Sequence, residues 1–221
     1  MAKSKEPNKI NARAREKHLL TTDSFIQSTE QYNELEKRGS IYNMAIRLIK
    51  NNFNIEAYIL ILATWNFARF RYALNNFDYY GFEETINGLD LYFEKLKNED
   101  FRTINIDHYN EEITEIYNKL SSIKGIEFTG ASKIMHLKNR SIFVMWDGFI
   151  KGAKAKRYYD ELEIVKNGDW KLKRYGNKPE DYLQFLKDMQ ERFKDISFQS
   201  IEKTFAKAID EYNFVNITIP I

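Results

Sequence analysis

Apolar residues recur every three or four positions along most of this chain, the spacing of one face of an α-helix. Between Asp23 and Asn52 the positions Phe25, Ile26, Tyr32, Leu35, Ile41, Met44, Ala45, Leu48 and Ile49 mostly keep that period, and Arg38-Gly39-Ser40 interrupts it. Two amphipathic helices are expected there. Residues 54–75 are the most apolar stretch and predict a helix at the centre of the core. A turn at Gly81 and another helix follow. Tyr109, Ile113, Ile116, Tyr117 and Leu120 make one stripe on a helix that stops at Gly125, a residue suited to a helix C-terminus. "GASKIMHLKN" opens the next helix at once. Pro179, with acidic neighbours, opens another. "SIEKTFAKAIDEYNFV" is the last, with Ser200 as its expected cap, and the tail "NITIPI" reads as extended. One stretch departs from the helical period. Asn167-Gly168 sits between alternating residues, so a small β-hairpin flap is expected near 163–174.

Composition agrees with this pattern. With 9 Gly and 3 Pro in 221 residues the chain has few breakers, and 43% hydrophobic residues can fill a core. The expectation is an all-α, multi-helix domain over residues 21–221, preceded by a flexible basic arm at 1–20. The absence of Cys excludes disulfides and thiolate metal sites and fits a reducing compartment. His18, His108 and His136 show no ligand spacing, and no phosphate loop or nucleophile elbow occurs, so no metal and no cofactor are expected. The longest apolar run, "AYILILATWNFA", is too short to span a bilayer, and the first residues lack an apolar h-region. These features imply a cytoplasmic protein without a membrane partner, nucleoid-associated if it binds DNA. Oligomeric state is not legible.

Net charge is only +2, but it is uneven. Residues 1–17 carry six Lys/Arg against two Glu, and residues 121–160 carry eight against three acidic residues. Local basic patches matter more for nucleic-acid contact than the total.

The second patch contains "LSSIKGIEFTGASKI". A helix ends, a tight glycine turn follows, and a second helix begins with small residues that permit close packing. The N–H groups at that helix start and its dipole suit a phosphate. The run resembles the helix-hairpin-helix motif at Leu120, Ile123, Gly125, Ile126, Ala131 and Ile134, placing the hairpin at about 112–138. It departs at Glu127, where the motif has its second glycine. Glutamate disfavours a positive φ and repels phosphate. Asp147 follows the extended apolar stretch "SIFVM" and Trp146. Its distance from the hairpin is similar to that of the catalytic aspartate in the helix-hairpin-helix DNA glycosylase superfamily.

That resemblance implies duplex DNA as partner. It also implies base removal in which the Asp147 carboxylate stabilises positive charge on the sugar or activates water. Lys124, Gly125, Ile126, Thr129, Gly130, Lys138 and Arg140 are the candidate nucleic-acid contacts. Trp65, Tyr79 and Trp146 are candidate walls for an extruded base, although any single aromatic residue is more often core than pocket. Bifunctional members carry a lysine where this chain has Thr129. Lys133, one turn further along the same face, and Lys124, just before the turn, are the candidate substitutes, although the simpler reading is that no lyase nucleophile exists and that Lys133 is solvated or contacts phosphate. Asp147 also suits a plain helix cap. Asn66 lies near Arg69 on a mostly apolar helix, where polar groups need partners; an internal hydrogen bond is the simpler reading, lining a pocket the other. Three functions are expected in order: a monofunctional DNA N-glycosylase, a non-catalytic helix-hairpin-helix nucleic-acid binder, and a helical protein-interaction protein.

Overall fold

Thr21 and Ser24 close a reciprocal cap at the head of the first helix, each side chain accepting from the other's backbone N–H. The computed structural model describes residues 20–151 and 175–218, and every regular element among them is helical. Residues 1–19 of the expected arm and the whole expected β-flap lie outside the described residues. The helices are α1 (Thr22–Leu35), α2 (Gly39–Lys50), α3 (Asn54–Trp65), the single turn α4 (Phe67–Phe70), α5 (Tyr79–Gly88), α6 (Asp90–Lys95), α7 (Asn110–Ser121), α8 (Glu127–Lys138), α9 (Pro179–Arg192) and α10 (Phe205–Asn213). A π-helical turn (Phe214–Thr218) follows α10. None of these helices is long and apolar enough to cross a membrane.

Neighbours in sequence pack as pairs, α2 on α3 and α7 on α8, while α9 lies on α7 and α10 returns to α1. The centre of the core is α8, where every residue from Gly130 to Leu137 is buried. This corrects the expectation that one helix over 54–75 holds the centre. The helix there stops at Trp65, because Asn66 leaves the helical region (φ −125) and turns its amide toward the α7–α8 turn.

Other expectations shift for local reasons. Gly81 lies inside the first turn of α5, where the Asp78 carboxylate accepts its N–H. The last helix begins after Thr204, whose side chain caps it. Ser200 instead accepts the N–H groups of Glu202 and Lys203 in a separate turn. Asn216 to Thr218 belong to the π-helical turn rather than an extended tail.

A buried polar chain ties α2 to α8. The His136 Nδ1–H donates to the Phe143 carbonyl at 2.6 Å, so Nε2 accepts from the Tyr42 hydroxyl at 2.8 Å. Arg140 Nε donates to the same hydroxyl oxygen at 3.2 Å. Burial holds the His136 pKa down to about 3, from the ordinary 6.5. The unfolded chain therefore takes up a proton that the folded chain refuses in that window. Stability from this residue is full above about pH 6.5 and is lost as the pH falls toward 3. Thermal melts at stepped pH should show a steeper acid decline for the natural chain than for His136→Gln, which has nothing to titrate at that position.

Candidate functional site

The α7–α8 turn is built around two residues with left-handed backbones. Gly125 has φ +88, and a Cβ there would lie 2.4 Å from the Ala73 Cβ, so both conformation and space demand glycine. Glu127 has φ +50, and its carboxylate stands 3.4 Å from the Arg69 guanidinium. The Asn66 amide donates to the carbonyls of Gly125 and Ile126, both at 3.0 Å. At Gly130 a Cβ would meet Ile126 and Leu62 side-chain carbons at 2.8 Å, which fixes the close crossing of α8 over α3. No side chain caps the N-terminus of α8. Lys124 stands exposed beside that end, and Thr129 is half-buried in its first turn.

The segment after α8 runs back along it. Besides the His136–Phe143 bond, the Ser132 hydroxyl donates to the Trp146 carbonyl and accepts the Trp146 N–H, both at 3.3 Å. The indole N–H reaches the Phe128 carbonyl at 3.1 Å. Tyr182 donates to the Val144 carbonyl from the other side. Asp147 is thereby fixed in position. Its Oδ1 accepts the N–H groups of Phe149 and Ile150 at 2.7 and 2.8 Å, and its Oδ2 accepts the Thr218 hydroxyl at 3.0 Å. The carboxylate thus closes a turn and ties down the end of the π-helical segment.

Lys133 lies behind this arrangement and is 7% exposed. The solvated side chain expected from the sequence is not what the fold provides. Burial pushes its amine below the ordinary lysine pKa, while Asp147 and Asp210 pull it the other way. No carboxylate of the described residues comes within ion-pair distance of it. Its neighbour Lys207, also buried, lies 2.8 Å from Asp210 and 3.5 Å from Glu211. There burial opposes the charge, but Asp210, Tyr32 and Glu211 outweigh it and hold the amine well above lysine's usual value.

No family model matches the chain, and neither a curated protein nor a solved structure is significantly similar to it.

The geometry gathers Lys124, Gly125, Ile126, Thr129 and Gly130 at the turn, sets Lys133 further along α8, and puts Asp147 on the segment that runs back beside it. It disperses the other candidates. Lys138 is paired with Asp90 at 2.6 Å and stands over the Phe93 ring, so its charge is used internally. Arg140 lies beyond the opposite end of α8, against Tyr42. The three aromatic residues expected to wall a pocket do not meet. Trp146 has no exposed surface and packs among Tyr117, Tyr182 and Phe185. Trp65 stacks on Tyr42, and Tyr79 sits edge-on to the exposed Tyr80. Among the described residues no group of three His, Asp or Glu is placed to hold a metal ion.

The Lys207 cluster was not legible as part of a site, and the sequence set Arg69 beside Asn66 without showing its nearness to Glu127. Lys203, Lys207, Asp210 and Glu211 are spaced three and four apart, and that spacing alone does not say whether their face meets water or protein. Asn66 is the contrasting case, since a polar residue in an apolar run announces a partner. Asn66→Ala should cost about 1–3 kcal/mol in chemical denaturation, because two buried carbonyls lose a donor. Gly125→Ala should cost more, since the left-handed backbone and the contact with Ala73 both penalise a Cβ.

Proposed function

We propose that the protein binds nucleic acid through the α7–α8 turn, as a helix-hairpin-helix-like phosphate clasp. The observation that carries this reading is the backbone of the turn. Gly125 and Glu127 both occupy the left-handed region, and these are the two positions where the motif places glycine. A glutamate held there stores strain of about 1 kcal/mol, and such outliers concentrate at functional sites. Arg69 answers the charge objection, because its guanidinium neutralises Glu127 and leaves the uncapped α8 N-terminus electropositive. Lys124 adds an exposed cation beside it. Salt-dependent affinity for duplex DNA follows, since each neutralised phosphate releases counterions.

A second reading, an N-glycosylase, is favoured by one specific feature. A buried amine, Lys133, lies in the field of a carboxylate, Asp147, and such pairs are over-represented at catalytic sites. Against it stands the cap, since both Asp147 oxygens already have protein donors.

Glu127→Gly should relieve the strained φ and tighten duplex affinity without loss of stability. Lys124→Ala should lower the slope of log affinity against log salt by about 0.9. Equal or weaker binding by Glu127→Gly, with the fold intact by circular dichroism, means that the turn faces away from the nucleic acid.

Asp147→Asn separates the two readings, because asparagine caps nearly as well but carries no charge. If the glycosylase reading holds, base release from lesion-bearing duplexes falls by about 10²–10³ while binding persists. If the natural chain releases no base, or the variant matches it, Asp147 is a cap alone. A melting curve on the same preparations shows that the comparison is made between folded proteins.

A further inference from the structure

An open groove of about 1030 Å³ lies beyond the C-terminal end of α8. It is bounded by α2, the loop carrying Asp100 and Arg102, Arg140, and the segment 198–205 that leads into α10. Five cationic side chains line it: Arg47, Lys50, Arg102, Arg140 and Lys203. Only two carboxylates, Asp100 and Glu202, face them. Lys203 is already committed to Glu211 at 2.7 Å. Arg47, Lys50, Arg102 and Arg140 have no carboxylate within ion-pair distance among the described residues.

Two of these four cations are held in place. The Arg102 guanidinium donates to the carbonyls of Ile196 and Phe198 at 2.9 and 3.1 Å and lies 3.5 Å above the Phe205 ring. Arg140 is fixed by the Tyr42 hydroxyl. Arg47 and Lys50 stand exposed three residues apart on α2. Concentrating like charges in a concave surface raises the local potential and has a self-repulsion cost that an anion would offset. Guanidinium groups match phosphate oxygens in geometry as well as charge. The rest of the lining includes Ser40, Asn43, Gln199, Ser200 and Thr204, the uncharged polar types that accompany Arg and Lys in contacts to phosphate and sugar. The volume is near the upper end for small-ligand pockets, which matches a few nucleotides of one strand.

We propose that this groove is a second nucleic-acid site, which takes a single strand by its phosphodiester backbone. It stands apart from the hairpin, since the 12 residues of α8 separate the two by about 18 Å along the helix.

The test uses the full chain, its Arg47→Ala/Lys50→Ala variant and its Lys124→Ala variant. Fluorescence anisotropy would be read with a labelled single-stranded oligonucleotide and a labelled duplex over a series of salt concentrations. The groove variant should bind the single strand several-fold more weakly, with the salt slope reduced by about 1.4 for two lost phosphate contacts. Lys124→Ala should leave single-strand binding unchanged. Failure of the duplex alone removes the hairpin reading and leaves the groove standing. Single-strand binding unaffected by the groove substitutions overturns the groove site, as does the absence of single-strand binding. Unlabelled tripolyphosphate and poly-glutamate serve as competitors. If either binds, by calorimetry, where the oligonucleotide does not, the groove takes a free polyphosphate or an acidic peptide and the strand assignment falls. Both substituted side chains are exposed on α2, so unchanged melting temperatures are expected.

Discussion

Two hydrogen bonds from one buried amide, Asn66 to the carbonyls of Gly125 and Ile126, join the end of α3 to the turn that launches α8. Much of the molecule depends on that junction. The amide satisfies turn carbonyls that water cannot reach, and it does so only because α3 stops at Trp65 and releases the side chain. Glycine at 125 and 130 then lets the backbones approach, with Ala73 and Leu62 filling the space that side chains would need. Once α8 is seated in this way, all of its residues from 130 to 137 are buried, including three polar ones.

Those polar residues organise the interior. Ser132 and His136 hold the backbone of the segment that leads to Asp147, and the carboxylate itself is then fixed by the N–H groups of its own turn and by Thr218. The neighbouring charges are not a source of stability by default. Burial of Lys207, Asp210 and Glu211 takes back part of what their mutual attraction supplies, and the same lysine also reaches Tyr32 of α1. Lys133 shares that interior with no carboxylate of the described residues within ion-pair distance.

The two ends of α8 present different electrostatics. At the N-terminal end a turn with left-handed residues carries its one carboxylate paired to Arg69. Beyond the C-terminal end Arg140 joins cations from α2 and the 100–102 loop, and no equal number of carboxylates opposes them. A net charge of +2 conceals this, because acidic residues elsewhere cancel the total without cancelling the local field.

The sequence by itself determined the helical class, most helix positions, the hairpin with its glycine turn, and the need of Asn66 for a partner. These follow from local rules: apolar spacing, the steric freedom of glycine, and the cost of an unpaired polar group in an apolar run. The fold decided which helix lies at the centre, that Trp146 is core rather than a pocket wall, that Lys133 and Lys207 are buried, and that Arg140 belongs to a groove with Arg47 and Arg102. None of these was legible, because burial and charge pairing depend on contacts between residues distant in sequence. Lys207 and Tyr32, 175 positions apart, are one example. A lysine carries the same letters whether its helix face meets water or another helix, and only the packing of α10 against α1 made that choice.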